Sequence, residues 1–202
     1  MTRRNDNAPA AATSPSARRA ELLEAAYRYV LSHGFTDLSL RPLAAAINSS
    51  PRVLMFLFGN KDGLVRELLG RARADELALL AELESDGEPA GLVPAIERTW
   101  SWLRAAEHRA LLRLWAECYA RSLVEPTGPW AGFAADTVHD WLRVLANAQP
   151  VQERTTEQGA ARRVLSLAVL RGALLHLLAT DDEVAASAAV RLHASTLRGY
   201  VE

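Results

Sequence analysis

The chain has 202 residues, half of them hydrophobic, and 23 basic side chains against 24 acidic ones. That is enough apolar material for one long domain or two small ones, and a bias to Ala, Leu and Arg with few β-branched runs favours helix throughout. A single cysteine, Cys118, excludes an internal disulfide framework and any cysteine-cluster zinc site.

Residues 1–14 are rich in Ala, Pro, Asn and Ser and read as a disordered arm. They lack the apolar core of a secretion signal. No apolar stretch reaches the length that spans a bilayer, so a cytoplasmic protein with no membrane partner is expected. Ser14-Pro15 then opens a helix with a cap and a proline at its first position. Leu22, Leu23, Ala26, Tyr29 and Val30 recur at helical spacing until Gly34 ends it. Ser39 caps a short second helix whose Pro42 falls in the tolerant first turn. It carries Leu40, Leu43, Ala44 and Ile47 inward. Asn48-Ser49-Ser50 makes a turn, Pro51 opens a third helix, and Gly59 closes it.

Two short helices joined by so tight a turn cross steeply, so that the first braces the second against a DNA groove. Charge agrees with that use. Residues 1–61 hold eight basic side chains against four acidic ones, a net of +4, which leaves −5 for the rest. Lys61 is the only lysine in the chain.

A longer helix follows, capped by Asn60 and carrying Leu64, Leu68, Leu77, Leu80 and Leu83. It stops at Ser85-Asp-Gly-Glu-Pro89, the clearest internal boundary. Further helices are expected over 91–108, 109–124, 129–147, 154–179 and 181–200, and no segment alternates with period two as a strand would. The fold class is therefore all-α, with about nine helices. The expected domains are the arm, a three-helix helix-turn-helix head over 15–62, and a helical body over 63–202.

One run carries a specific likeness. Gly34-Phe35, Leu38-Ser39-Leu40-Arg41, Leu43-Ala44, Phe58-Gly59-Asn60-Lys61 and Leu64-Val65 together resemble the TetR/AcrR family of bacterial repressors. The resemblance covers residues 18–66, and the helical remainder has the family's length. It implies double-stranded DNA as a partner, Ser39 and Lys61 as phosphate anchors, and Arg41, Ser50 and Arg52 at or near the groove. Phosphate contacts position such a head, whereas Arg52 can read a guanine edge. The sequence departs from the family on its third helix, where polar groups give way to Val53, Met55 and Leu57 with Phe56 between them. Val53, Met55 and Phe56 then meet DNA by apolar contact, for instance with thymine methyls. The same apolar residues also suit packing inside the head.

The resemblance further implies a C-terminal body that dimerises and encloses a small-molecule cavity. Rings cluster in the middle third, which is what a pocket for a small, largely apolar or aromatic ligand requires. The candidate ligand residues are Trp100, Arg104, Trp115, Tyr119, Trp130, Phe133, His139, Trp141 and His176, with Cys118 a further polar candidate. Aromatics at helical spacing serve equally as plain core. The last two helices carry small and aliphatic residues at three- and four-residue spacing. Leu165, Ala168, Val169, Gly172 and Leu175 on one, and Ala185, Ala189, Leu192 and Thr196 on the other, make a candidate homodimer interface.

Catalysis is not expected. The five histidines lack metal-ligand spacing, so no metal and no cofactor is expected, and no phosphate-cradling loop or nucleophile elbow is present. The expected function is a ligand-responsive DNA-binding regulator, a repressor that holds a palindromic operator as a dimer. The alternatives are a helical ligand-binding or interaction module with weak or lost DNA binding and, last, an enzyme.

Overall fold

A computed structural model describes residues 15–84 and 91–198. The expected arm and the Ser85–Pro89 boundary lie outside the described residues. Ten α-helices follow in order: α1 (Pro15–His33), α2 (Leu40–Ala46), α3 (Pro51–Phe58), α4 (Lys61–Glu84), α5 (Leu92–Leu103), α6 (Arg109–Val124), α7 (Phe133–Ala148), α8 (Val151–Arg154), α9 (Glu157–Thr180) and α10 (Glu183–Arg198). Short 3-10 turns at Ala106–His108 and Gly128–Trp130 precede α6 and α7. The all-α expectation holds. The tenth helix is α8, a single turn after Pro150 that is too short to show a period.

The head forms where punctuation and periodicity agree. Leu22, Ala26, Tyr27 and Val30 bury one face of α1, and Gly34 leaves it with φ 73°. Leu43 and Ala44 of α2 and Leu54 and Phe58 of α3 close over that face. Asn48 takes φ 57° in the turn between them, a conformation that asparagine tolerates. The entry to α4 is tighter still. The Asn60 side chain accepts the Gly63 amide at 2.7 Å, and a Cβ at Gly63 would lie 2.0 Å from the Phe58 carbonyl oxygen. Only glycine allows α3 and α4 to meet this closely.

The core continues from head to body. Leu64, Val65, Leu68, Leu69 and Ala72 of α4 join the head cluster together with Leu114, Cys118, Trp130 and Phe133 from the body. Farther along, Leu79 and Leu80 enter a second cluster with α5, α7, α9 and α10. Thus α4 is shared, and the expected division after residue 62 falls at its first turn.

Helix α9 differs from the sequence reading in the length of its apolar run. Its 24 residues are long and apolar enough, by length and composition, to cross a membrane, because Arg171 alone interrupts the run 164–180 with formal charge. Ser166, Leu167, Leu170, Ala173, Leu174 and Leu177 turn one side of it into the body core. The opposite side, with Val164, Leu165 and Leu175, is exposed.

Candidate nucleic-acid interface

Helix α3 packs against α2 and α4 and leaves its other face to solvent. Its hydrophobic pattern splits cleanly. Leu54 and Phe58 point inward and Leu57 is half-buried, while Val53, Met55 and Phe56 are exposed, Phe56 at 84%. Arg52 is exposed beside them. The Ser50 hydroxyl accepts the Val53 amide at 3.2 Å, which caps α3. Ser39 occupies the equivalent place before α2 with an extended backbone, yet its side chain makes no capping bond. That corrects the expectation of a side-chain cap there and leaves the exposed hydroxyl facing outward contacts.

Cations on the head divide into two groups. Arg19 is a brace: it pairs with Glu67 at 2.7 Å and lies over the Phe58 ring at 5.2 Å, tying α1 to α3 and α4. Arg18 pairs with Glu21. By contrast, Arg41, Arg52 and Lys61 are exposed and make no ion pair among the described residues. Exposed cations without internal partners are available to phosphate.

Two helices connect this head to a cavity in the body. On α4, Arg71 pairs with Glu24 of α1 at 2.9 Å and with Asp75, and Asp75 accepts the Tyr27 hydroxyl at 2.8 Å. Burial, then that bond to Asp75, raises the Tyr27 pKa, so the phenol stays a donor. On α6, the Glu117 carboxylate accepts the Phe35 amide at 2.8 Å and the Thr36 hydroxyl at 2.7 Å. Phe35 meets Trp130 edge-on at 5.1 Å between centroids.

The cavity lies between those helices and α5, α7 and α9, and has a volume of about 40 Å³. Ala72, Glu76 and Leu79 of α4 form one wall, and Leu111, Leu112 and Trp115 of α6 another. Trp102, Phe133 and Trp141 supply further rings, and Arg171 stands in the α9 wall. The surface that all these residues present to the cavity, Glu76 and Arg171 included, is almost wholly apolar.

Solved structures with this arrangement exist, although no family model and no curated protein matches the sequence. A TetR transcription regulator from Haloarcula marismortui superposes with a TM-score of 0.70 at 16% identity, over 89% of this chain and 96% of that one. A transcriptional regulator from a Rhodococcus species gives 0.70 at 19%, over 93% and 97%. The multidrug binding protein EbrR in complex with imidazole gives 0.66 at 24%, over 96% of each chain. EbrR was also solved with proflavin. The fold is that of the TetR regulators.

Within that TetR fold, the candidate DNA residues Ser39, Arg41, Ser50, Arg52, Val53, Met55, Phe56 and Lys61 all lie on α2, α3 or their flanks. The candidate ligand residues scatter. Trp115, Phe133 and Trp141 line the cavity, and the Tyr119 ring lies tilted against Trp115 with 5.2 Å between centroids. Trp100 instead donates to Ser187 of α10 at 2.9 Å, and Arg104 pairs with Glu183 at 2.6 Å. Trp130 packs at the head–body seam beneath Arg121, while His139 and His176 are exposed. Cys118 is buried in the head cluster, and burial pushes its thiol pKa up.

Two charged cavity residues escaped the sequence reading, Glu76 and Arg171. Both had a signal. Glu76 is a carboxylate among the apolar residues Leu68, Ala72, Leu79 and Leu80, and Arg171 interrupts the apolar run of α9. A charge placed inside an apolar stripe is better explained by a partner or a site than by solvent.

The candidate interface residues of the last two helices point outward. Leu165, Ala168, Gly172 and Leu175 of α9 and Ala185, Ala189, Leu192 and Thr196 of α10 are exposed, and only Val169 turns partly into the core.

Proposed function

We propose that this chain is a ligand-responsive, DNA-binding transcriptional regulator: a cytoplasmic homodimer that represses from a palindromic operator and catalyses nothing. The observation that carries the reading is the outward face of α3, braced by α2 and flanked by Arg41, Arg52 and Lys61 without internal counter-charges. A face so built serves a polyanion. Ser39 and Lys61 hold phosphates, Ser50 fixes the start of α3, and Arg52 reads an edge while Val53, Met55 and Phe56 press on thymine methyls. The TetR fold supports this assignment, and EbrR's complexes with imidazole and proflavin support a small-molecule role for the body.

Dimerisation uses the exposed aliphatic face of α9 and α10, which form a four-helix seam with the partner. The ligand enters the apolar cavity and presses on α4 at Ala72 and Glu76 and on α6 at Trp115. Both helices are bonded to the head, α4 through Arg71 and α6 through Glu117. Head separation changes, and one of its two values no longer fits the operator. The shift requires the ligand to prefer one separation over the other.

The exposure of Phe56 favours one second reading, a helical interaction module that docks protein through α3. Selection from random duplex DNA with the purified full chain separates the two. An enriched inverted repeat with half-sites about one helical turn apart, or a multiple of it, is the expected result. Failure to enrich any sequence overturns DNA reading. An enriched single half-site leaves DNA reading in place and overturns the dimer.

A further inference from the structure

We propose that the outward face of α3 tells pyrimidines apart by their C5-methyl group and not by their hydrogen-bonding edge, so that methylated cytosine is preferred to cytosine wherever that methyl is met. This rests on the reading of α3 as the helix that meets DNA and adds the chemical class of base it accepts.

The face has a simple composition. Arg52 and Phe56 are four residues apart and so stand one above the other, with Val53 and Met55 to either side. Exposure follows that geometry, rising from 38% at Val53 through 51% at Met55 to 84% at Phe56. Leu54 and Phe58 occupy the opposite, buried side. Arg52 is the only polar side chain on α3, and it makes no ion pair or hydrogen bond among the described residues. Polar groups at the ends of the helix are already committed. The Ser49 hydroxyl is buried, the Ser50 hydroxyl accepts the Val53 amide at 3.2 Å, and the Asn60 side chain accepts the Gly63 amide at 2.7 Å. Helix α3 therefore carries no oxygen or nitrogen acceptor on a side chain, and its one donor group is a guanidinium.

That inventory limits what can be read. In the major groove thymine shows O4 and a C5-methyl, whereas cytosine shows an amino group and no methyl. A face without acceptors cannot take the cytosine amino group, and the guanidinium is matched best by guanine. What Val53, Met55 and Phe56 can sense is the methyl, because packing against it removes apolar surface from water. A methyl on C5 of cytosine presents the same surface, and uracil keeps the edge of thymine without it. Charge argues for DNA as the occupant of this apolar face. Arg41, Arg52 and Lys61 flank it, exposed and without ion pairs among the described residues, which suits a phosphate backbone.

The test compares duplexes that differ by single methyl groups. The full chain first selects a duplex from random DNA. That duplex is remade with deoxyuridine at each thymine in turn, then with cytosine or 5-methylcytosine opposite guanine at the same places, and affinities are read by fluorescence anisotropy. At one or more positions of the half-site, loss of the thymine methyl is expected to weaken binding roughly three- to fourfold. Methylation of cytosine there should strengthen binding over cytosine by the same factor. Val53→Ala, Met55→Ala and Phe56→Ala each shorten an exposed side chain, and at least one should bring the thymine-to-uracil ratio at such a position to about one. Insensitivity to uracil at every position, or 5-methylcytosine no better than cytosine, overturns the proposal and leaves DNA reading in place. A uracil effect that survives all three substitutions belongs to the shape of the duplex itself and overturns it too. Failure to enrich any duplex overturns both the proposal and the DNA reading beneath it.

Discussion

Phe56 and Lys61 lie five residues apart in sequence and are expected to fail differently. Phe56 is 84% exposed, so truncation removes almost no buried area and Phe56→Ala should shift stability by no more than about 0.5 kcal/mol. If the side chain packs on bases, affinity for the selected operator falls while affinity for unrelated duplex holds. Lys61→Ala removes a point charge at the first residue of α4. Binding to every sequence should weaken alike, and the slope of log affinity against log salt should flatten by about one unit. Titrations at several salt concentrations against operator and scrambled duplex read both results. A uniform loss in Phe56→Ala, or an unchanged slope in Lys61→Ala, removes that residue from its role. Lys61 was legible in the sequence as the lone lysine after a helix-ending Phe-Gly. Exposure at Phe56 was not, because an apolar residue in a short helix is equally suited to core or groove until its neighbours are placed.

Among the elements, α4 and α6 line the cavity and also make polar bonds to the head, and α6 offers the cleaner test. Glu117 receives the Phe35 amide and the Thr36 hydroxyl, and Gly34, at φ 73°, leaves no Cβ to collide with the carboxylate 2.8 Å away. Glu117→Ala strips the Phe35 amide of its acceptor in a half-buried seam. The expected cost is about 1–3 kcal/mol in urea unfolding, with faster hydrogen exchange at the Phe35 amide. Unchanged exchange there shows that the latch does not hold the turn. The sequence disclosed the elements well wherever glycine or proline punctuates them, as at Gly34, Pro51 and Gly59. It was less clear about their ends. The helix expected over 91–108 breaks after Leu103 into a 3-10 turn, and the one expected at 129 starts at Phe133 because Gly132 takes φ 82°. The start of α9 moves to Glu157, since the Thr156 hydroxyl accepts the Gly159 amide at 2.9 Å. Cavity membership was the least legible property. Ring size drew attention to Trp100 and Trp130, but the facing helix decides which rings border empty space, and that information is not local.

For the whole molecule, the decisive surface is the one that the single chain leaves uncovered. Leu165 and Leu175 on α9 are 53% and 52% exposed, and Leu192 on α10 is 67% exposed. The small residues Ala168, Gly172, Ala185 and Ala189 stand between them, so a second pair of helices can approach closely. A soluble chain that left this face in water would pay in solubility, whereas a two-fold partner covers it with the same surface. In a two-fold arrangement each substitution is doubled. Leu165→Glu with Leu192→Glu therefore introduces four carboxylates into one seam, and like charges in a dry interface are strongly unfavourable. Both positions are exposed in the monomer, so its own core is untouched and its far-ultraviolet dichroism should stay helical. The wild-type chain is expected to sediment as a dimer at micromolar concentration and the double variant as a monomer. Operator affinity should fall with it, because one head makes only half of the contacts and loses the fixed spacing that adds the second. A variant that remains dimeric places the interface elsewhere. A monomeric variant with undiminished operator binding separates dimerisation from DNA reading, and with it removes the change in head spacing as the means by which ligand controls the protein.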